Sequence, residues 1–333
     1  MFVKPAAAPA LFTGPYALGT LSASGREAFP ALIRRDGSVA DLRRAFDDAG
    51  LTMLGVMEDW ARLSSAFAEL AARPSGDDPL VSEFRVHAPI APRQVLQSGA
   101  NYRQHVIDLH VAHRDGSDGL SAEEARAEAA QIMDRRAADD LPYVFIGLPS
   151  AITGPFDDVV LPAWAKKPDW ELELAAVIGR PASRVPAEQA LDHVAGYTIA
   201  NDLTDRATVF RRDMPQIGTD WLRSKNAPGF TPLGPWIVPA QSVTALDDLQ
   251  VTLQLNGETM QDESTKDMIF SVARLISYIS QTVQLLPGDL VLTGSPAGNG
   301  MHWGRLLRDG DVMDATITGL GAQRTRCVAE VPA

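Results

Sequence analysis

The first evidence of local structure and of function lies in one stretch, Lys167-Pro168-Asp169-Trp170-Glu171-Leu172-Glu173-Leu174-Ala175-Ala176-Val177-Ile178-Gly179. Its apolar run predicts a β-strand, and side chains two residues apart on a strand leave the same face. Glu171 and Glu173 then place two like charges side by side at the start of a buried region, which is costly unless something neutralises them. A divalent cation with oxygen ligands is the simplest partner. The alternative is the exposed face of an edge strand, where glutamate pairs are common.

A third carboxylate candidate closes another apolar strand, Gly196-Tyr197-Thr198-Ile199-Ala200-Asn201-Asp202. A buried Asp202 needs a partner, and two glutamates with one aspartate make an all-oxygen site. Such a site suits Mg²⁺, with Mn²⁺ or Ca²⁺ as alternatives, better than zinc. The competing interpretation is that Asp202 caps a turn after the strand, which the following Leu-Thr-Asp also supports.

The segment from Ser98 to Asp108 contains His105 and Asp108, three residues apart after a flexible Gly99. On a helix the two side chains share a face and can touch. A carboxylate beside an imidazole fixes its tautomer and raises its basicity, which is one way to make a general base. The alternative is a surface pair of little consequence.

Two loops rich in glycine and proline are further candidates. One contains Lys225, between Arg223 and Trp236, and the other contains Gly294 and Ser295, where backbone N–H groups can face a ligand. Either loop is also compatible with plain turn chemistry.

The bulk composition excludes some classes of protein. The 333 residues are 45% hydrophobic and 22% charged, with a net charge of -12, which argues against a nucleic-acid or anionic-membrane partner. The single cysteine, Cys327, cannot form an intrachain disulfide or a thiolate zinc site. No apolar stretch approaches the ~20 residues of a membrane span. The N-terminus shows no signal-peptide pattern, so a cytoplasmic location is expected.

The pattern along the chain predicts two domains. Strands joined by turns occupy 11–36 and a helical pattern 39–72, and the Pro/Gly/Asp-rich stretch 71–79 separates a small N-terminal α/β domain, 1–80, from a main domain, 81–333. A capping box at Ser121 predicts a helix over 121–138 within a helical insertion, 109–145. This insertion is either a lid or a plain surface helix. After residue 159 strands dominate, apart from a helix over 269–285 and an Asn256-Gly257 hairpin turn.

The order of these motifs resembles the fumarylacetoacetate hydrolase family over residues 95 to 328. The motifs are Asn-Tyr-Arg-x-His at 101–105, Asp-x-Glu-x-Glu at 169–173, Gly-Tyr-Thr-x-x-Asn-Asp at 196–202, Lys225 followed by Phe-x-Pro-Leu-Gly-Pro-Trp at 230–236, and Pro-Gly-Asp with Thr-Gly-Ser-Pro-Ala-Gly at 287–298. The resemblance implies an α+β, β-rich fold in which mixed β-sheets roll around a metal site. It also implies a homodimer.

The resemblance assigns roles to individual residues. It implies metal ligands at Glu171, Glu173 and Asp202, catalytic groups at His105, Asp108 and Lys225, and substrate-binding groups at Tyr102, Arg103, Arg206, Gly294 and Ser295. The chain departs from the family pattern at Asp108, where glutamate is more usual, at Val209, where many hydrolases carry glutamine, and in the long insertion 109–145.

The implied activity is metal-dependent hydrolysis of a C–C bond in a small anionic 2-oxo or 1,3-dicarbonyl acid, such as an acylpyruvate. The cation stabilises an enolate-like carbanion, and His105 activates water. Decarboxylation, hydration or isomerisation of a 2-oxo acid at the same site is the first alternative. The second is a non-catalytic protein that binds a metal and a ligand, which the presence of both His105 and Lys225 disfavours.

Overall fold

The structure, a computed structural model, describes residues 12–73, 75–112, 121–216 and 218–331. The strands of these residues are β1 (Tyr16–Ser22), β2 (Phe29–Arg34), β3 (Val39–Asp41), β4 (Arg85–Val86), β5 (Val95–Gly99), β6 (Tyr143–Gly147), β7 (Ile152–Thr153), β8 (Val159–Leu161), β9 (Pro168–Asp169), β10 (Leu172–Ile178), β11 (Val194–Asn201), β12 (Thr204–Asp205), β13 (Thr231–Pro232), β14 (Val238–Pro239), β15 (Gln250–Leu255), β16 (Glu258–Ser264), β17 (Leu290–Leu292), β18 (Val312–Ile317) and β19 (Gly321–Ala329).

The α-helices of the same residues range from 4 to 18 residues in length, and five of them precede the strand-rich part of the chain. They are α1 (Leu42–Ala45), α2 (Met53–Glu58), α3 (Trp60–Ala72), α4 (Arg103–Ala112), α5 (Ala122–Asp139), α6 (Ala187–Ala190), α7 (Trp221–Lys225), α8 (Val272–Ser280) and α9 (Gly300–Trp303). None of these helices is long and apolar enough to span a membrane.

Three sheets form the body of the molecule. The order β3-β2-β1-β4 builds the N-terminal sheet, β14-β11-β10-β17-β5-β6 the central sheet, and β16-β15-β18-β19-β8 the C-terminal sheet. The β10 strand is buried along its whole length, because it lies inside the central sheet between β11 and β17. The mixed, β-rich fold predicted from the sequence is confirmed.

The N-terminal sheet packs directly on the main body. Leu18 on β1 exchanges backbone hydrogen bonds with Ile237, and Gly19 lies against the ring of Trp236, where an added Cβ would come within 2.9 Å of the ring. Leu18 and Ile237 also belong to one buried apolar cluster. The proposed domain boundary near residue 80 stays a prediction, and β4, which completes the N-terminal sheet, comes after it.

The structure confirms two of the local predictions and contradicts a third. The Asn256-Gly257 turn is confirmed: both residues have positive φ and join β15 to β16. The capping box at Ser121 is confirmed at the start of α5. The single helical pattern expected over 39–72 is wrong, since β3 and the separate helices α1, α2 and α3 occupy it. Part of the insertion 109–145, residues 113–120, lies outside the described residues, so its role as a lid stays a prediction.

Candidate metal centre

Three carboxylates converge where β10 and β11 meet. Glu171 directly precedes β10, Glu173 lies on it, and Asp202 directly follows β11. One oxygen atom from each side chain lies within 4.8 Å of the others, and all three side chains are buried. Oxygen donors of this kind fit a divalent cation. The exposed-edge interpretation of the two glutamates is wrong, and Asp202 faces the same cluster.

The strand register holds this cluster together. Glu173 lies opposite Ala200 in the antiparallel pairing of β10 with β11. Where the pairing ends, the amide of Asp202 donates to the carbonyl oxygen of Glu171 at 2.8 Å, and the amide of Glu171 donates to Asn201 Oδ1 at 3.0 Å. The two adjacent residues therefore have different roles. The side chain of Asn201 fixes the backbone of Glu171, and the side chain of Asp202 belongs to the carboxylate cluster.

Lys225 lies among the carboxylates rather than at their rim. Its ammonium donates to Glu171 Oε2 at 2.6 Å, to Asp202 Oδ2 at 2.5 Å and to Thr204 Oγ1 at 2.8 Å. Only 3% of its side chain is exposed. The short helix α7 carries it inward, and Asp220 caps that helix by accepting from the amide of Arg223. The ammonium thus bridges the ends of the two ligand strands.

A fourth buried acid, Asp169, was not recognised as a site residue from the sequence alone. It ends β9, two positions before Glu171, and continues in the sequence the spacing of two that aligned the two glutamates. Its carboxylate accepts from the amide of Gly300 at 2.5 Å and from Arg206 Nε at 2.8 Å. The repeated spacing of two was the signal that could have found it.

Arg206, which the sequence predicted to bind a substrate carboxylate, pairs with two buried acids of the cluster, and its contact with substrate stays a prediction. Its guanidinium donates to Asp169 Oδ2 at 2.8 Å and to Glu171 Oε1 at 2.6 Å, and its side chain is only 18% exposed. The buried acids draw the guanidinium inward, since burying them unpaired would be costly. In this structure Arg206 therefore positions a candidate metal ligand.

The charges of the cluster do not balance. Asp169, Glu171, Glu173 and Asp202 supply four carboxylates, whereas Lys225 and Arg206 supply two cations. Two negative charges remain when all four acids are ionised. One divalent cation would supply the missing charge.

Burial sets the protonation of these acids. Burial raises the pKa of Glu173, and the neighbouring charges of Asp202 and Glu171 raise it further. Burial also raises the pKa of Asp202, against the opposing effect of Lys225. Glu171 differs: burial acts to raise its pKa, but Arg206 and Lys225 outweigh burial and lower it. Glu173 and Asp202 are therefore the sites where protons compete with a cation.

His105 reaches the edge of this cluster from α4. Its side chain is buried, and burial lowers its pKa to about 4, although the charge of Glu171 opposes the change. The imidazole is therefore neutral at physiological pH and can accept a proton.

The expected contact between His105 and Asp108 is absent from the described residues. Asp108 Oδ1 instead accepts from Gln104 Nε2 and from Arg126 Nη1 of α5, each at 2.8 Å. The reason is that the short Asp108 side chain on α4 is taken up by the donors of Gln104 and Arg126 instead of the imidazole of His105. Asp108 thus ties α4 to α5 and is not seen to orient the base.

The sequence also predicted substrate contacts for Arg103 and Tyr102. Arg103 donates to Asp134 on α5 at 2.9 and 3.2 Å, at the surface, so it holds the two helices together. The ring of Tyr102 is fully buried, and its backbone bridges to Met268. The hydroxyl of Tyr102 is buried without a hydrogen-bond partner among the described residues, and burial raises its pKa, to which the nearby charge of Glu173 contributes. A contact of either side chain with substrate stays a prediction.

Gly294 and Ser295 do lie beside the cluster. The amide of Gly294 donates to Glu173 Oε2 at 2.7 Å, at a φ of +89° that favours glycine. An added Cβ there would lie 3.0 Å from Asn101 Cβ. Ser295 Oγ accepts from Gln261 Nε2 at 2.9 Å. Gly294 therefore holds a candidate ligand in place, and Ser295 is anchored next to it.

An aromatic wall faces Lys225 and was not found from the sequence. Phe145 on β6 stacks on Trp221 of α7 with ring centroids 4.6 Å apart, and the Lys225 ammonium lies 5.5 and 5.8 Å from the two centroids. Trp221 Nε1 also donates to the hydroxyl of Tyr143 at 2.6 Å. The wall joins segments far apart in the chain, so no local pattern reveals it.

One more buried polar residue completes the surroundings. Gln97 on β5 donates to Asp202 Oδ1 at 2.6 Å, while its own Oε1 is buried without a partner among the described residues. The parallel pairing of β5 with β17 sets Gln97 opposite Leu292, two residues before Gly294. Gln97, which the sequence did not single out, thus contributes to the site.

The family model for the fumarylacetoacetate (FAA) hydrolase C-terminal domain matches residues 94–328. The chain belongs to the fumarylacetoacetate hydrolase family. The 2,4-didehydro-3-deoxy-L-rhamnonate hydrolase of Sphingomonas sp. (strain SKA58) is 42% identical over 299 residues, covering 89% of this chain and 90% of that relative. The human mitochondrial oxaloacetate tautomerase FAHD2B is 40% identical over 182 residues, covering 54% of this chain and 57% of the tautomerase.

Solved structures agree with this assignment. The fumarylacetoacetate hydrolase from psychrophilic Exiguobacterium antarcticum superposes with a TM-score of 0.71 at 28% identity, covering 95% of this chain and 100% of that chain. The relatives are enzymes with hydrolase and tautomerase names, so this chain is a member of an enzyme family.

Proposed function

We propose that the protein is a divalent-cation-dependent hydrolase that cleaves a C–C bond of a small anionic 2-oxo or 1,3-dicarbonyl acid. The observation that carries the proposal is the buried cluster of Glu171, Glu173 and Asp202 with Lys225 inside it, which has an excess of two negative charges when all its acids are ionised. The sugar-acid hydrolase of Sphingomonas supports hydrolysis over the alternatives, because the match covers most of both chains.

Mg²⁺ is the proposed cation, since all three candidate ligands are carboxylates. When bound, the cation would act as a Lewis acid toward the oxygens of the substrate. The two negative charges left by the protein would be balanced, and the substrate's own carboxylate would then meet a site that no longer repels it.

The protein groups around the cluster can carry the proton transfers. His105 is neutral, so it can take a proton from water as the water oxygen attacks the acyl carbon. The C–C bond then breaks, its electron pair stays on the leaving fragment, and a proton returns to that carbon. Lys225, held beside Glu171 and Asp202, supplies a positive charge that can stabilise negative charge developing on a substrate oxygen.

Tautomerisation of a 2-oxo acid such as oxaloacetate is a second candidate that one observation favours. Asp108 is bound to Gln104 and Arg126, and among the described residues no carboxylate makes a hydrogen bond with the His105 ring that would orient it for water activation. A proton shift between carbon and oxygen needs a base but no attacking water. The match to the oxaloacetate tautomerase, over about half of each chain, is consistent with this.

Product analysis separates the two candidates. The protein, freed of metal with EDTA and reloaded with Mg²⁺, is incubated with 2,4-didehydro-3-deoxy-L-rhamnonate, with an acylpyruvate and with oxaloacetate, and the products are followed by NMR. Hydrolysis yields two fragments, one of them a 2-oxo acid, whereas tautomerisation yields only the enol and keto forms of one compound. His105→Ala should abolish turnover and leave Mg²⁺ binding intact, while the control His193→Ala should keep both. Unchanged turnover in His105→Ala would refute the base assignment.

We also propose that the protein forms a homodimer. Large apolar side chains are exposed next to the aromatic wall: Ile146 on β6, Leu222 on α7 and the nearby Phe210 are 66%, 68% and 70% exposed. Apolar surface of this kind favours association. Light scattering after size exclusion should give twice the chain mass. A monomer at micromolar concentration would contradict the proposal.

A further inference from the structure

A cavity of about 740 Å³ lies in the N-terminal unit, and it has no part in the chemistry described above. The turn between β1 and β2, the β3–α1 segment, the end of α3 and the segment before β4 form its walls. This volume is in the range of small-molecule sites. The residues that the argument below uses all line it.

The cavity is positively charged in an acidic protein. Five arginines line it, against the three carboxylates Glu27, Asp41 and Asp78, while the whole chain has a net charge of -12. The five are Arg26, Arg34, Arg43, Arg44 and Arg73. The excess is two positive charges, which complements a dianion.

Much of this charge is not used within the protein. Arg34 pairs with Asp78 at 2.8 Å and Arg44 lies 3.6 Å from Asp41. Arg26 and Arg73 have no ion pair or side-chain hydrogen bond with any residue that the structure describes. Arg43 uses only its Nε, which donates to the carbonyl oxygen of Leu51 at 2.9 Å. Three guanidinium groups therefore remain available at one cavity.

One of the arginines is deeply buried and incompletely satisfied. Arg34 is 6% exposed, and its Nη atoms donate to Ser38, Asp78 and the carbonyl oxygen of Leu70. Its Nε is buried with no hydrogen-bond partner among the described residues. A buried donor without an acceptor is costly, and such groups in native proteins usually have a partner.

The remaining lining is apolar. Phe29 and Phe84 pack edge to face with centroids 5.5 Å apart, and Val39 and Leu70 also line the cavity. An inorganic anion would gain nothing from this surface, whereas a short carbon chain would bury apolar area against it. Planar carboxylates also match the fork of donors that arginine presents.

We infer that this cavity binds a small organic dianion, with two carboxylates on a short carbon chain. The arginines hold the carboxylates and the phenylalanine pair holds the chain. The site is separate from the carboxylate cluster, and the inference does not depend on the proposed function.

Calorimetric titration of the full-length, Mg²⁺-loaded protein with succinate and with inorganic phosphate tests the inference. Succinate should bind saturably, and Arg26→Gln/Arg73→Gln should weaken binding by about tenfold or more, which is ~1.4 kcal/mol. Both side chains are exposed, so the variant should fold. The control Arg93→Gln/Arg324→Gln removes the same charge from outside the cavity and should bind as the parent does.

Two further comparisons, with the Asp202→Asn variant and with phosphate, locate the site and define its ligand. Asp202→Asn, which disrupts the carboxylate cluster, should leave succinate binding unchanged, and loss of binding there would move the anion to the catalytic site and overturn the inference. Phosphate binding as tight as succinate binding would overturn the assignment to an organic dianion. No saturable succinate binding at millimolar concentration, or equal binding by the Arg26→Gln/Arg73→Gln variant, would overturn the site itself.

Discussion

The ammonium of Lys225 lies 2.6 Å from Glu171 Oε2, inside the group of carboxylates proposed to hold a cation. The same ammonium contacts Asp202 on the neighbouring strand end. Its own pKa is raised, because the charges of Asp202, Glu171 and Glu173 outweigh the burial that would lower it. Lys225 is thus a permanent positive charge built between two candidate metal ligands, and it partly neutralises them in the absence of metal.

Replacing Lys225 by methionine should therefore separate stability from catalysis. Removing one partner of a buried ion pair leaves uncompensated charge, which costs about 3–5 kcal/mol. We expect Lys225→Met to unfold at a lower temperature in EDTA and to recover stability with Mg²⁺, while turnover stays lost. Thermal unfolding with and without Mg²⁺, alongside kcat, checks this. A variant as stable as the parent in EDTA would show that the ammonium does not balance these acids.

The positions of His105 and Asp108 lead to a prediction about two neighbouring variants. His105→Asn should lower kcat by about 10²–10⁴-fold, the usual contribution of a general base. Asp108→Asn should leave kcat nearly unchanged, because Asp108 contacts Gln104 and Arg126 and not the imidazole. Steady-state kinetics of the two variants, with circular dichroism as a folding check, test the assignment. Equal, large losses in both variants would mean that Asp108 orients His105 during turnover.

Strand alternation explains why the centre of the site could be predicted. The spacing of two placed Glu171 and Glu173 on one face, and an apolar strand ending in Asp202 required a buried partner. Both arguments use the geometry of one strand at a time. The pairing of β10 with β11, which brings the two strands together, is seen only in the structure.

Contacts between distant segments could not be predicted from the sequence. Arg206 lies against the cluster because Asp169 is buried next to Glu171. Asp108 binds Arg126 of α5 and not His105. Helical spacing shows which side chains can meet, but it does not show which competing donor is closer. The stacking of Phe145 on Trp221 likewise depends on the placement of β6 against α7.

Cys327 provides a check on the C-terminal sheet. It lies on β19, opposite Val159 of β8, and it is fully buried. Burial raises the pKa of its thiol to about 12, so almost no reactive thiolate exists at pH 8. We expect a thiol reagent to leave the native protein unlabelled and to label one cysteine per chain in guanidinium. Rapid labelling of the native protein would contradict the burial of this strand.

Metal binding should depend on pH in a defined direction. Burial raises the pKa values of Glu173 and Asp202, so in the metal-free protein these acids keep protons to a higher pH than free carboxylates do. A cation must displace those protons, and its affinity should fall as the pH is lowered. Titration calorimetry of Mg²⁺ in buffers with different ionisation enthalpies should show net proton release. Binding without proton release at pH 6 would contradict these protonation states.

The most direct test of the account is the number of divalent ions that the carboxylate cluster holds. After EDTA treatment, calorimetric titration with Mg²⁺ should show a single ion per chain. Asp202→Asn should weaken that binding by roughly 100-fold or more, given that even supporting residues of metal sites cost 10–100-fold. The control Asp314→Asn, which changes a partly exposed carboxylate paired with Arg324, should bind as the parent does. Equal Mg²⁺ affinity in the parent and in Asp202→Asn would contradict the claim that Glu171, Glu173 and Asp202 together hold the cation.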